Sequence, residues 1–208
     1  DRINEFDIMR GEEVETIGLL EQFDVKGNGV VVLPGSHTKF IFINKEKALE
    51  YCLSTLGGET IFAIQRGTIL ADSLQDDLVK ALDENYLTKG FEAAKTYGLT
   101  RSFYHIRLLQ MFSGLTENEI ANYFVGSVLH DDLKSLESSI DENEIKWAII
   151  GGSSHLRSAF THLLQRKYTD WNVMKATDEE MERALVLGPH KIAANIKEIQ
   201  NEKTEEIK

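Results

Sequence analysis

The sequence predicts an α/β domain with a mixed sheet of about five strands, flanking helices and a helical insertion. Three observations indicate this fold. Apolar segments on either side of the turn residues Pro34-Gly35-Ser36 are typical of two paired strands. Between residues 75 and 137 apolar residues recur at helical spacing. The later segments 145–152, a continuous apolar run, and 170–176 are interpreted as strands, and a helix follows each of them.

The first half of the chain supplies a helix, three strands and a second helix. Apolar residues at helical spacing between Val14 and Phe23 predict a helix after Gly11. The turn residues at 27–29 then lead into "VVVLPGSHTKFIFIN", which is interpreted as two strands. Residues 46–54 can supply a third strand, and "GETIFAIQRGTIL" has a helical pattern. A helical block is expected from about residue 75 to 137.

The second half predicts two strand–helix units. "IKWAIIGG" is a continuous apolar run, which is typical of a buried parallel strand, and the helix after it is expected to have a serine cap. "DWNVMKA" is interpreted as a further strand, and the following "TDEE" suits a helix start. The "GPH" at 188–190 is interpreted as a break and restart of this last helix. A hairpin, a third strand and later βα units together favour an RNase H-like domain, in which ligands bind beyond the strand ends.

Composition excludes several classes of function. The 208 residues carry a formal net charge of −11, which argues against nonspecific binding to nucleic acid and against a polybasic membrane anchor. The apolar runs are too short to span a bilayer. The single cysteine, Cys52, excludes an internal disulfide framework and fits a reducing cytoplasm. We therefore expect a cytoplasmic protein whose partners are small molecules, without nucleic acid or membrane.

Three glycine-containing loops are candidate ligand sites. In "LPGSHTKF", residues 33–40, the turn can expose backbone N–H groups to phosphate, and His37 and Lys39 could add donors. Taken alone, this loop is more often an ordinary hairpin turn. In "AIIGGSSHL", residues 148–156, glycines precede a helix start that favours anions. "STLGGE", residues 54–59, also leads into a helix, where Glu59 could simply be a first-turn carboxylate.

The opening "MRGEE" can be interpreted in two ways. Acidic residues favour helix N-termini, so Glu12 and Glu13 could be an ordinary first turn. Alternatively, one of them is a catalytic base. The "HDD" at 130–132 could suggest a metal site, but adjacent helix positions point in different directions, so a metal site there is disfavoured.

Together these segments resemble a known enzyme family. The order of "IMRGEEVETIG", "VVVLPGSHTKF", "GGETIFAIQRGTIL" and the late strand–Gly-Gly–helix is similar to that of the 2-dehydro-3-deoxygalactonokinases, which belong to the sugar kinase, hexokinase and actin group. The resemblance covers residues 5–195 and is most specific over 8–40. It implies an RNase H-like domain of the actin/hexokinase type. It also implies ATP- and Mg²⁺-dependent phosphorylation of the 6-hydroxyl of 2-dehydro-3-deoxy-D-galactonate, a step of galactonate breakdown.

The resemblance also implies roles for particular residues. Glu12 would be the general base, with Glu13 as its competitor, because the hydroxyl needs a carboxylate to take its proton. Arg10 would pair with the substrate carboxylate or orient Glu12, and Glu59 would be an active-site contact. The residues implied to bind ATP are Gly35, Ser36, His37 and Lys39 at the phosphates and Gly151, Gly152 and Ser153 at the adenosine. No protein metal ligand is predicted, since Mg²⁺ would accompany ATP.

The sequence departs from the family pattern in three places. The family's Met-Thr-Gly-Glu is Leu56-Gly57-Gly58-Glu59 here, and a Gly-Ala-Glu stretch is replaced by "VLHDDLK". The family's N-terminal Asp-x-Gly phosphate loop is not found in these 208 residues. We therefore expect a connecting segment and cleft helix at 1–26, a C-terminal nucleotide-binding domain at 27–200 and a frayed tail at 201–208. A homodimer is left open.

Two other classes of function stay open beside the kinase. The first is an inactive or sensory nucleotide-binding relative that keeps the fold without turnover. The second is an actin-like assembly protein, which the small-substrate motif "RGEE" disfavours. Fold alone does not separate these classes, because many functions share one fold.

Overall fold

The computed structural model describes residues 3 and 6–205, with side chains described except at 154 and 198–205. Twelve helices and strands are assigned within these residues. In chain order they are α1 (Glu12–Leu20), β1 (Asn28–Leu33), β2 (Thr38–Ile43), β3 (Leu49–Thr55), α2 (Gly57–Gly67), α3 (Glu84–Tyr97), α4 (Leu99–Phe112), α5 (Glu117–Glu137), β4 (Ile145–Ile150), α6 (Ser154–Lys167), β5 (Asn172–Lys175) and α7 (Asp178–Glu205). The predicted tail at 201–208 lies partly outside the described residues.

The five strands form one mixed sheet in the order β3-β2-β1-β4-β5. The hairpin strand β2 is antiparallel to both β1 and β3, whereas β4 is parallel to β1 and β5. The five-stranded α/β fold with its helical insertion confirms the predicted fold class and is consistent with an actin/hexokinase-like domain. Because β1 and β4 are parallel neighbours, the loops that follow them leave the sheet at the same edge.

Both faces of the sheet are covered, which explains why its central strands are continuously apolar. On one face, Val30, Phe40 and Ile150 pack in a core with residues of α5 and α6. On the other face, Val31 and Ile149 pack with residues of α1 and α7. The strand residues "VVVL" of β1 are all buried, as the sequence predicts for a central strand. The sheet therefore sits between two helical layers, with α1 on the side opposite α5.

The predicted break at 188–190 is wrong, because α7 continues through Pro189. Proline in a helix removes one hydrogen bond, and that cost has to be offset by tertiary packing. Here α7 packs closely on α1: a Cβ atom on Gly188 would lie 2.1 Å from the Val14 carbonyl oxygen, and one on Gly18 would lie 2.0 Å from that of Ala184. Close packing through two glycines holds the segment in the helix.

The two predicted helix starts differ in their capping. At α7, Thr177 and Glu180 bond reciprocally through side chain and backbone, which confirms that "TDEE" starts the helix. At α6, a serine occupies the cap position as predicted, but Ser153 makes no side-chain cap hydrogen bond. The Arg157 guanidinium instead donates to the Gly152 carbonyl oxygen at 2.8 Å and fixes the chain before the helix.

Candidate functional site

Two of the three predicted loops meet at the carboxyl ends of β1 and β4. The Gly151 N–H donates to the Val32 carbonyl oxygen at 2.8 Å, and the Ser153 N–H donates to that of Pro34 at 2.9 Å. Gly152 lies between them with a φ of +68°, and a Cβ atom there would be 2.3 Å from the Pro34 carbonyl oxygen. Only glycine combines this backbone conformation with so close an approach.

The third loop joins them through the start of α2. The Glu59 N–H donates to the Ser36 carbonyl oxygen at 2.8 Å. A Cβ atom on Gly58 would lie 1.9 Å from the Gly35 carbonyl oxygen, so the first turn of α2 packs directly on the loop between β1 and β2. The structure therefore brings all three glycine loops into contact, although they are up to about a hundred residues apart in the chain.

A cavity of about 590 Å³ opens between these loops, α2 and α6, and we call it the α2–α6 cavity. Its wall combines backbone from the glycine loops with apolar side chains and with the acidic residues Glu59, Asp76 and Asp77. Neither α2 nor α6 has a side-chain hydrogen bond from its N-cap residue, and in the first turn of α2 the Glu59 N–H donates to the Ser36 carbonyl oxygen. The lining residues are Gly35, Ser36, Gly58, Glu59, Ile61, Phe62, Asp76, Asp77, Leu78, Val79, Val125, Ser153, His155 and Leu156.

A second cavity, of about 380 Å³, lies on the α1 side of the same loops, and we call it the central cavity. Glu12 and Glu15 approach it from α1, while Gly152 and Ser153 approach it from the β4–α6 loop. The rest of its lining is Leu33, Pro34, Gly35, Ser36, His37 and Met181. Glu12 is thus placed across a shared cavity from the two loops that were predicted to bind phosphate and adenosine.

Glu12 and Glu13 differ in what their carboxylates face. The Glu12 carboxylate accepts the Arg10 N–H at 2.5 Å and lines the central cavity. The Glu13 carboxylate accepts the Gly11 N–H at 2.9 Å and is absent from the lining of the described cavities. Both groups therefore support the start of α1, but only Glu12 also faces the glycine loops.

Opposing effects act on the acidity of Glu12. Burial raises its pKa, whereas hydrogen bonds from the N–H groups of Arg10 and Glu12 itself and the charges of Lys39 and His37 lower it, and the net pKa lies below the ordinary value. Burial and the charge of Glu12 instead raise the pKa of the neighbouring Glu15. The lowered pKa favours the ionised form of Glu12, whereas burial disfavours the ionised form of Glu15.

Lys39 lies in a third cavity, of about 520 Å³, which we call the opening cavity because residues before α1 line it. Its ammonium donates to the Ile8 carbonyl oxygen and to Ser54 Oγ, both at 2.6 Å, and lies 3.9 Å from an Asp7 carboxylate oxygen. The Ser54 N–H in turn donates to Asp7 at 2.6 Å. This network ties the segment before α1 to β2 and β3, and Lys39 is buried within it.

The remaining predicted site residues are distributed over these cavities. Arg10 and His37 line the opening cavity together with Glu12. Glu59 lines the α2–α6 cavity instead, and its carboxylate is 4.0 Å from His37 Nε2, with both side chains about half exposed. Gly151 is buried beneath the loops, where a Cβ atom would lie 2.7 Å from a Leu33 methyl carbon. Arg10 and Glu59 therefore do not share one of the described cavities.

Sequence reasoning missed Asp132, which lies beneath the same loops. It is buried on α5, and the Thr38 hydroxyl donates to its carboxylate at 2.9 Å. Burial raises the pKa of Asp132 to about 6, while the hydroxyls of Thr55 and Thr38 partly lower it. The "HDD" run drew attention only as a metal motif, and nothing in the sequence indicates that its last residue reaches a hairpin 94 positions away.

Among the residues that the structure describes, no group of three or more His, Cys, Asp or Glu side chains is placed to hold a metal ion. A magnesium ion that enters with a nucleotide does not need such a group, since it is commonly held by phosphates, waters and one or two carboxylates. Glu12 and Glu15 are the two carboxylates that line the central cavity. Within the same described part of the chain, no helix has the length and apolar character needed to cross a membrane.

The sequence model of the 2-keto-3-deoxy-galactonokinases matches residues 1–187 of this chain. The chain belongs to the 2-keto-3-deoxy-galactonokinase family. This confirms the resemblance that the glycine loops and the "MRGEE" segment indicate. The matched range contains every predicted site residue, including Glu12, the Pro34–Lys39 loop and Gly151–Ser153. No curated protein sequence matches the chain.

Solved structures share the fold of this 2-keto-3-deoxy-galactonokinase family member. One is the crystal structure of a candidate 2-dehydro-3-deoxygalactonokinase from Sinorhizobium meliloti, which is 21% identical and superposes with a TM-score of 0.74. The match covers 91% of this chain and 61% of the Sinorhizobium meliloti chain. The structural similarity shows that the two proteins share a fold. This chain spans less than two thirds of the length of the Sinorhizobium meliloti protein.

Proposed function

We propose that the protein is an ATP-dependent kinase that phosphorylates the 6-hydroxyl of 2-dehydro-3-deoxy-D-galactonate in galactonate breakdown, in the cytoplasm. The observation that carries this proposal is the central cavity, where the ionised carboxylate of Glu12 faces Gly35–His37 and Gly152–Ser153. A phosphoryl transfer needs a base near the attacking hydroxyl and N–H donors near the phosphates. In this cavity the Glu12 carboxylate would serve as the base, and backbone N–H groups of the Gly35–His37 turn would meet the phosphates.

The nucleotide would occupy the α2–α6 cavity and extend into the central cavity. The apolar side chains of Ile61, Phe62 and Leu156 would contact the adenine ring. Gly35 and Ser36 border both cavities. The starts of α2 and α6 favour negative charge at this border. Mg²⁺ would be held by the phosphates and waters beside Glu12 and Glu15, and it would neutralise phosphate charge during transfer.

The sugar acid would bind on the other side of Glu12. The opening cavity continues from Glu12 to Arg10, whose guanidinium is exposed and can pair with a substrate carboxylate. This arrangement would place the substrate hydroxyl between Arg10 and the phosphates, within reach of Glu12. Gly11, which precedes Glu12 with a φ of +117°, directs the chain from the opening segment into α1.

The test is an assay of ATP-dependent phosphorylation of 2-dehydro-3-deoxy-D-galactonate by the complete gene product. We expect transfer to the 6-hydroxyl, detected as ADP release together with the phosphorylated sugar acid by mass spectrometry. A protein that binds MgATP but transfers phosphate to none of the related sugar acids would instead be a sensory relative. A protein without MgATP binding would contradict the proposal entirely.

Substitution of Lys39 by methionine tests whether its charge acts on the base. Because the Lys39 charge contributes to the lowered pKa of Glu12, its loss raises that pKa, and the acidic limb of the kcat/KM profile should move to higher pH. The plateau should also fall roughly tenfold, since the segment before Glu12 loses its tie to Lys39. Lys45→Met, on an exposed side chain, is the matched control. An unchanged acidic limb in Lys39→Met would contradict the effect on the base.

A further inference from the structure

Asp132 contacts both walls of the α2–α6 cavity from the buried side. Thr38, which donates to its carboxylate at 2.9 Å, lies two residues after Ser36 on the cavity wall. Gly57, which precedes the lining residue Gly58, lies so close that a Cβ atom there would be 2.1 Å from Asp132 Oδ2. One buried side chain therefore touches the end of the β1–β2 loop and the beginning of α2.

We propose that Asp132 is a positioning residue that holds the β1–β2 loop and the first turn of α2 in the relative placement needed to bind the nucleotide phosphates. This inference rests on the proposed nucleotide-dependent function. Asp132 does not line the α2–α6 or central cavity, so it acts through the loop and the helix.

Other contacts also join the two walls: Gly58 packs against the Gly35 carbonyl oxygen, and Thr38 pairs with Thr55 of β3 just before α2. Across the cavity border they are joined by the hydrogen bond from the Glu59 N–H to the Ser36 carbonyl oxygen. Ser36 is on a turn and Glu59 is in a first helical turn, where backbone motion is easiest. Asp132 instead belongs to α5, a 21-residue helix whose apolar face is fully buried, so it offers a rigid support. Small misplacements of binding groups are costly for phosphoryl transfer.

An isolated buried carboxyl group disfavours folding, which distinguishes Asp132 from an ordinary core residue. Burial raises its pKa to about 6, so near neutral pH it is mostly ionised and is a strong acceptor for the Thr38 hydroxyl. Its neighbour Asp131 is half exposed and pairs with His130 at 3.0 Å. Asp131 is therefore a matched control on the same helix, outside the contacts with Thr38 and Gly57.

The experiment measures the Kd of MgATP for the complete gene product by calorimetry. We expect Asp132→Ala and Thr38→Val each to raise the Kd roughly tenfold or more, with a double variant whose loss is less than additive, because both remove the Thr38–Asp132 bond and Asp132→Ala also removes the interaction with the Thr55 hydroxyl. Asp132→Asn keeps an oxygen that can accept from Thr38 and should bind nearly as the wild type does. Asp131→Ala should leave the Kd unchanged.

A second substitution tests the contact with α2. Gly57→Ala should weaken MgATP binding in the wild-type background, where the new methyl group meets the carboxylate, and should be tolerated in the Asp132→Ala background. A Kd that stays at the wild-type value in Asp132→Ala and Thr38→Val would overturn the proposal, as would equal losses in Asp132→Ala and Asp131→Ala.

The same variants separate this proposal from the proposed function. If the wild type binds MgATP but does not phosphorylate the sugar acid, the substrate assignment fails while the Kd comparison still decides the role of Asp132. If the wild type binds no MgATP, the nucleotide-dependent function fails and the positioning role fails with it. Hydrogen exchange of the Glu59 amide provides an independent measure of how firmly the first turn of α2 is held. Exchange that is unchanged by Asp132→Ala would show that Asp132 does not hold this turn.

Discussion

Replacement of Glu12 by glutamine should lower kcat for sugar-acid phosphorylation by about a thousandfold, a loss in the range typical of a missing general base. Glutamine keeps an oxygen that can accept the Arg10 N–H, so the start of α1 should remain in place. The amide has no comparable basicity, and the substrate hydroxyl would have to lose its proton unaided. Steady-state kinetics of the complete gene product, with the MgATP Kd measured in parallel, check this result.

Glu13→Gln is the matched control for this prediction. Both carboxylates accept a backbone N–H before α1, so the two substitutions perturb the helix start to a similar degree. Only Glu12 lines the central cavity with the glycine loops. Equal losses in both variants would assign the effect to the helix start, and full activity in Glu12→Gln would exclude it as the base.

Replacement of Gly152 by alanine should lower the free energy of unfolding by about 3 kcal/mol, through left-handed backbone strain and overpacking together. The φ of Gly152 is +68°, and the added Cβ atom would lie 2.3 Å from the Pro34 carbonyl oxygen. Because that contact joins the two loops of the candidate site, MgATP binding should weaken as well. Urea-induced unfolding of the complete gene product measures the change in stability.

Gly114→Ala separates backbone strain from contact. Gly114 has the same φ of +68°, but no atom lies within 4 Å of the position its Cβ would take. Alanine there should therefore show the strain alone, about 1 kcal/mol, with MgATP binding unchanged. If the two variants were destabilised equally, the close approach between Gly152 and Pro34 would have no energetic role.

Secondary structure and its order were largely predictable from local signals. The alternation and turn residues around Pro34–Ser36 predict β1 and β2, and the apolar run before Gly151 predicts β4, because both depend on neighbouring residues only. Two local predictions did not hold in full. Pro189 remains inside α7, which packs closely on α1, and Ser153 occupies the cap position of α6 without a side-chain cap hydrogen bond.

The candidate site was predictable as a set of loops but not as an arrangement. Glu12, the Pro34–Lys39 loop and Gly151–Ser153 each carry a local pattern, and the family resemblance connects them. The residues around Lys39 in the sequence do not indicate that its ammonium bonds to Ile8 and Ser54 on the α1 side of the sheet. Gly57 replaces the threonine of the family's Met-Thr-Gly-Glu segment, and only the structure shows that a side chain at this position would overlap the Asp132 carboxylate.

The sequence by itself determined the α/β class, the membership of a sugar-acid kinase family and the residues that are chemically able to act, since these depend on composition, periodicity and short motifs. Tertiary structure alone decided that Glu12 rather than Glu13 faces the glycine loops, that Lys39 ties the opening segment to the sheet and that Asp132 lies beneath the site. These depend on contacts between segments far apart in the chain. Such contacts form only when the strands align and the helices pack on both faces of the sheet.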